Sequence, residues 1–279
     1  DDECRNLLTM ASFVGYDFGF EALHGVTGFE ENKLVELLEK TLKTGQIRER
    51  VVRGEDAYSF ADAIVRDVVH EEVSRLMHKR FHNVAGNALE KVYAKKIDEH
   101  LAELAYQFLE GNDRAKALDY FLRAGEKAVK VYAHSEASTY FQSALSLLEE
   151  MESDPQQKGY VLEKLGDAKE ALGEHDASMK HWNEALQLWK KLDEKEKTSR
   201  IHRKIAKVLF YITDNKEKAE EHCQEALRIL EAMPESVELA SLHSDRAWMQ
   251  WYVGDYDTAR SSAEKAIKLA EKLNAQDIV

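Results

Sequence analysis

This 279-residue chain has two prolines, two cysteines and no long apolar run. With only Pro155 and Pro234 to interrupt it, and with plentiful Ala, Leu, Glu and Lys, the backbone is free to run in long helices. Cys4 and Cys223 are too few and too distant for a disulfide framework, which points to a reducing cytoplasm. The longest uncharged stretch near the start, Leu7 to Tyr16, is too short to span a bilayer. No basic segment precedes it, as a secretion signal requires. Positive charge is in deficit, with 39 Lys and Arg against 52 Asp and Glu, and the net charge of −13 disfavours a broad nucleic-acid or anionic-membrane coat. The chain also begins Asp1-Asp2 rather than with Met, and reads as a piece excised from a longer protein.

What is present is an internal period. A small residue, a bulky residue four later and a second small residue three further on recur five times. The sets are Ala117, Phe121, Ala124; Ala137, Phe141, Ala144; Ser178, Trp182, Ala185; Ala219, Cys223, Ala226; and Ala259, Ala263, Ala266. Spacings of four and three place each set on one helical face, where small residues let a neighbouring helix approach and the middle residue fills the gap. Leu165-Gly166 precedes Ser178, Ala247 precedes Ala259, and Ala105 precedes Ala117 at the same offset. Gly173 and Gly254 fall where a helix must end and the chain reverse.

These marks resemble the tetratricopeptide repeat, although Ala144, Ala185, Ala226 and Ala266 are spaced by 41, 41 and 40 residues against a usual period of about 34. Longer helices, with linkers at Met151 to Gln157 and Met233 to Val237, account for the excess. HEAT-type pairs are the competing solenoid, and the ordered triplets favour the tetratricopeptide reading. The expected fold is mainly α: residues 97–279 form an α-α superhelix of four to five tetratricopeptide-like pairs, and residues 1–96 a small winged-helix-like domain with connecting helices. The helix around Asp113 to Val131 should close one pair and open the next. No solvated capping helix follows Thr258 to Leu273, so the array is expected to continue past residue 279.

The N-terminal block shows helical patterning at Cys4 to Phe13, Phe18 to Leu23 and Glu31 to Lys43. Strands at Gln46 to Val52 and Ala57 to Phe60 flank a turn at Arg53-Gly54-Glu55-Asp56. Three helices and a β-hairpin make the winged-helix arrangement. Glu30, Glu31, Glu36 and Glu39 surround Lys33, Lys40 and Lys43 on the third helix, a surface that repels phosphate, and Arg48, Arg50 and Arg53 on the hairpin are too few to reverse it. DNA binding is therefore the less favoured use of this block.

Tyr58 to Asp62, Arg66 to His70, Met77 to His82, Leu101-Ala102 and Gly111 to Ala115 form a series. It resembles the segment that follows the ATPase core in STAND-class signal-transduction NTPases, which run NTPase, winged helix, then tetratricopeptide-like sensor. That resemblance implies a regulatory region, with ATP or ADP bound in an NTPase core outside this chain and self-association in the full-length protein. Family members often carry Phe-x-His after the hairpin, where the histidine senses nucleotide phosphate. Here Phe60-Ala61-Asp62 puts an acid at that place. No Walker-type glycine loop occurs either, so the chain is not expected to bind or hydrolyse nucleotide by itself.

No catalytic set can be assembled from local spacing, and the chain is read as a non-enzyme. His78 and His82 lie one helical turn apart but flank Lys79 and Arg80, and read as a packed or surface pair rather than metal ligands. Cys223 occupies the bulky position of a repeat helix and reads as a buried small hydrophobe. The first helices of the pairs should line a concave groove, with Arg200, Arg203, Lys207, Phe210 and Tyr211 facing inward from one and Trp248, Trp251 and Tyr252 from the next. Such a wall suits a protein, peptide or small ligand, the aromatics supplying contact area and the cations orienting an acidic group. The alternatives are that the cations pair with Glu163 and Asp167, and that the tryptophans pack on a further repeat. A constitutive adaptor without switching is the rival to the sensor reading.

Overall fold

In the computed structural model, residues 2–52, 54–151 and 154–275 are described. They fall into two compact units, residues 1–131 and 132–279.

The first unit opens with α1 (Asp2–Val14), β1 (Asp17–Phe18), α2 (Phe20–Thr27), α3 (Glu31–Lys43), β2 (Ile47–Val52) and β3 (Glu55–Phe60). The three strands form an antiparallel sheet in the order β1-β3-β2, with Asp17 opposite Ser59 and Ile47 opposite Phe60. This is the element order of a winged helix. Leu7, Ala11 and Phe13 of α1, Leu23 of α2, Leu34 and Leu37 of α3, Ile47 and Phe60 are all buried. Burial of such side chains contributes about 1.5–3 kcal/mol each. Strand β1 has only two residues, too few to display alternation in sequence, and the helix expected from Phe18 begins instead at Phe20. Arg53 lies outside the described residues. On α3, Lys40 and Lys43 pair with Glu36 and Glu39 one turn back, and Lys33 with Glu3 of α1.

Helices α4 (Ala63–Glu71), α5 (Arg75–Val92), α6 (Leu101–Glu110) and α7 (Arg114–Lys130) complete this unit. Asp62 caps α4 by accepting from the Ile64 amide, a structural task for the residue that stands where a phosphate-sensing histidine was sought. The pair α6/α7, which the repeat pattern assigned to the array, lies in the first unit. The reason is specific packing. Gly86 of α5 leaves room for the Phe108 ring of α6. Gln107 Nε2 donates to the Phe13 carbonyl, and Tyr120 and Lys116 of α7 both bond Glu90 of α5.

The second unit consists of α8 (His134–Glu150), α9 (Pro155–Ala171), α10 (His175–Lys191), α11 (Lys195–Tyr211), α12 (Lys216–Glu231), α13 (Val237–Tyr252) and α14 (Tyr256–Lys272). Helix α8 packs on α9, and α9/α10, α11/α12 and α13/α14 are antiparallel pairs. Each helix has 16 or 17 residues, which explains the stretched period. Pro155 opens α9 at a position where no amide donor is needed, and Asp154 caps it; residues 152, 153 and 276–279 lie outside the described residues. In the five small-bulky-small sets every residue but Ala263 is buried, because those faces are where one helix nests on another. Gly173 and Gly254 adopt left-handed φ of 75° and 87° in the tight turns. Asp193, Asp214 and Asn274 do the same at other turns, so polar residues serve where the sequence shows no glycine.

Candidate functional site

The first helices α9, α11 and α13 share a run of ion pairs. Arg200 Nε lies 2.7 Å from Glu163 Oε1, and its Nη2 lies 3.1 Å from Oε2. Lys204 Nζ reaches Glu163 at 2.8 Å and Asp167 at 2.7 Å. One turn round α11, Arg203 grips Glu238 of α13 through Nε at 2.5 Å and Asp245 through Nη1 at 2.7 Å. Lys207 Nζ lies 3.3 Å from Asp245. Burial works against the charged form of Glu163, but the Arg200 hydrogen bond and the Lys204 charge hold its carboxyl below the usual range. Burial likewise opposes the Arg203 charge, and the Glu238 and Asp245 contacts overcome it and raise its pKa.

Two residues assigned to the inner wall sit elsewhere. The Arg203 side chain is 17% exposed and serves as a tie between α11 and α13. Phe210 is 7% exposed and packs in the core with Ala206, Cys223 and Met249. The i, i+3 and i+4 pattern that turns Arg200 and Lys204 toward α9 turns Arg203 and Phe210 toward the next pair. Arg200 and Lys204 are committed to the acids of α9, so these cations are not open to orient an acidic ligand. The aromatic half of the wall stands clear. Tyr211, Trp248, Trp251 and Tyr252 are 46%, 62%, 56% and 63% exposed. Tyr211 and Tyr252 meet edge to face at 6.2 Å, and Trp248 and Trp251 at 5.9 Å. Lys216 Nζ stands 5.8 Å from the Tyr252 ring centroid, within cation–π reach.

Cys223 is fully buried, and burial pushes its thiol up to about 12. It is an inert packing group. Behind α11, His202 and His222 meet through their Nδ1 atoms at 2.9 Å. Burial, then the neighbouring His222 and Lys190 charges, lowers His202 from 6.5 to about 4, with Glu225 opposing; burial also lowers His222. A base with a depressed folded pKa stays neutral while the unfolded chain protonates. Stability is therefore full above about pH 6.5 and falls as pH drops toward 4, by at most about 3 kcal/mol from His202. Thermal melts at constant ionic strength are expected to show Tm falling between pH 7 and 5, with a shallower fall in His202→Leu. A slope unchanged by that substitution contradicts the assignment.

In the first unit, His70 of α4 joins His78 and His82 of α5, with one ligand-capable atom of each within 4.8 Å of the others. Pair spacing in sequence showed only the last two, since His70 arrives through the α4–α5 reversal.

The tetratricopeptide repeat family matches residues 159–232 and 213–272. These residues are tetratricopeptide repeats. No curated protein matches the chain by sequence. Among solved structures it is similar to the apo form of RapI, with TM-score 0.55 and 16% identity over 90% of this chain and 64% of that one. It is also similar to BtubC from P. vanneervenii, with TM-score 0.54 and 16% identity over 75% and 86% of the two chains. A third is a STAND protein with a tetratricopeptide repeat sensor from Pyrococcus horikoshii, with TM-score 0.48 and 16% identity over 100% of this chain and 52% of that one. The chain thus spans about half of that ATPase. At 16% identity, the likeness to RapI and BtubC speaks to the fold alone. No described helix is long and apolar enough to cross a membrane.

Proposed function

We propose that this chain is an interaction scaffold whose tetratricopeptide array docks a protein segment on the exposed aromatic ends of α11 and α13. The observation that carries this is the grouping of Tyr211, Trp248, Trp251 and Tyr252, four large aromatics each about half exposed or more on two packed helices. Scattered surface apolars need no explanation, whereas a contiguous aromatic patch is the usual form of a binding hot spot. Because Glu163, Asp167, Glu238 and Asp245 already engage the cations beside it, the wall selects apolar and aromatic side chains more than acidic ones. Lys207 and Lys216 at its edge remain about half exposed and supply the polar contact.

A winged-helix element order followed by helical repeats on one chain further supports a sensor region of a STAND-class NTPase. In that reading segment binding is coupled to a nucleotide-binding core outside this chain. Coupling requires that the segment prefer one of two states of the whole protein.

The test is selection of displayed random peptides on the full chain, followed by affinity measurement with Tyr211→Ala/Tyr252→Ala. Peptides rich in aromatic or aliphatic residues are expected, with affinity falling tenfold or more in the variant. Selected peptides that bind the variant equally well, or the absence of any selected peptide, overturn the docking site.

A further inference from the structure

The three histidines of the first unit bear on a different chemistry. His70 sits in the last turn of α4, and His78 and His82 are one turn apart on α5. Their ring centroids form a triangle of 4.7, 5.8 and 6.3 Å. Three imidazoles on one tetrahedral Zn²⁺, with Zn–N about 2.0–2.1 Å, place their centroids roughly 5 Å apart. The donor atoms, now within 4.8 Å of one another, would close to about 3.3 Å around a tetrahedral ion.

The surrounding hydrogen bonds set the tautomers. Gln107 Nε2 donates to the Phe13 carbonyl at 2.8 Å, which orients the amide, so Oε1 faces His82 Nδ1 at 2.8 Å and can only accept. His82 therefore carries its proton on Nδ1 and keeps a lone pair on Nε2. Ser12 Oγ donates to the Thr9 carbonyl at 2.6 Å, and so accepts from His70 Nδ1 at 3.2 Å. His70 is left in the same state. An outer partner on Nδ1 that frees Nε2 is the arrangement found around metal-bound histidines.

The Phe13 ring, 4.2–5.0 Å from all three imidazole centroids, closes one side with an apolar wall. On another side His78 lines an open cleft of about 530 Å³, together with Arg75, Lys79, Leu109 and Glu110. The cleft brings solvent to His78. Arg80, which in sequence argues against a cation, is exposed and lies off the face shared by residues 78 and 82; Arg75 and Lys79 line the cleft but are exposed, so solvent and salt screen their charge. Arg66 contacts Asp67.

We propose that His70, His78 and His82 form a site for a borderline divalent metal such as Zn²⁺, with three imidazole ligands and a fourth position open to the cleft. Imidazole donors without carboxylates favour Zn²⁺, Ni²⁺ or Cu²⁺ over Mg²⁺ or Ca²⁺. The ion would tie α4 to α5 across the reversal at residues 72–74.

The test is titration of the full chain with Co²⁺ as a spectroscopic substitute, then displacement by Zn²⁺. One equivalent with the visible bands of a low-coordinate cobalt site is expected. His78→Gln and His70→Gln should each weaken it by more than the 10–100-fold typical of an outer partner, and Ser12→Ala by about tenfold. His222→Gln, which removes one of the other paired histidines, should leave it unchanged. His78 is only partly buried, so its Gln variant keeps the proposal testable should His70→Gln fail to fold. No binding at micromolar concentrations, binding indifferent to His78→Gln, or binding abolished by His222→Gln overturns the site.

Discussion

Arg203→Met is expected to lower the unfolding free energy by about 3–5 kcal/mol, read from urea denaturation at unchanged m-value. The guanidinium bridges Glu238, which is 6% exposed, and Asp245. Removing it leaves a buried carboxylate without its partner, and the cost lies in that stranded charge more than in the lost pair. Replacing the ion group as a whole, with Arg203→Met, Glu238→Leu and Asp245→Leu together, is therefore expected to recover most of the loss. The Lys207 contact given up with Asp245 is half exposed and weighs little. A single Arg203→Met change costing less than about 1 kcal/mol would show that the guanidinium is solvated. Tyr211 and Tyr252 take no part in this ion group, so their alanine variants probe docking without this loss of stability.

The second large effect belongs to Gly166. A Cβ there would fall 2.4 Å from Cδ1 and 2.5 Å from Nε1 of Trp182. The indole is 3% exposed and donates to Asp167 Oδ1 at 3.0 Å, so it cannot swing aside without breaking that bond and disturbing the acids that hold Arg200 and Lys204. Alanine gains up to about 1 kcal/mol in helix propensity. Overpacking against a locked ring costs about 3 kcal/mol, and wins. Gly166→Ala is thus expected to destabilise by about 2 kcal/mol net, and Trp182→Leu alone by a comparable amount through the space it empties. In Gly166→Ala/Trp182→Leu the methyl occupies part of that space, so the two changes should couple by more than 1 kcal/mol, well outside additivity. Simple addition in thermal or chemical denaturation refutes the contact.

Much of the architecture is visible in one dimension. The triplets around Phe121, Phe141, Trp182 and Cys223 mark nesting faces because small residues at spacings of four and three have one use on packed helices. The span Glu31 to Lys43 is recovered residue for residue, since a long amphipathic run ended by a left-handed glycine, Gly45, is self-contained. Two-residue β1 is not visible, because its existence depends on the partner strand rather than on its own pattern. The left-handed turns at Asp193 and Asp214 are hidden for a related reason: the helix pair imposes them on residues that do not advertise them.

The candidate sites divide along the same line. Tyr211, Trp248, Trp251 and Tyr252 are exposed; pairing of cations with Glu163 and Asp167 was legible as an alternative. Which way Arg203 and Phe210 point was not, because a helix of a solenoid touches a neighbour on both sides and the sequence names the faces without saying which neighbour takes which. The assignment of α6/α7 to the first unit came from Gln107, Phe108 and Tyr120 finding partners on α1 and α5.

Sequence by itself determined that this protein is built of long helix pairs nested through small residues, since helical periodicity and side-chain size are properties of the chain. Only tertiary structure decided that His70 joins His78 and His82 and that Arg203 is locked between Glu238 and Asp245. Both depend on distances between separate elements, and those are set by how the helices pack, not by the order of residues along any one of them.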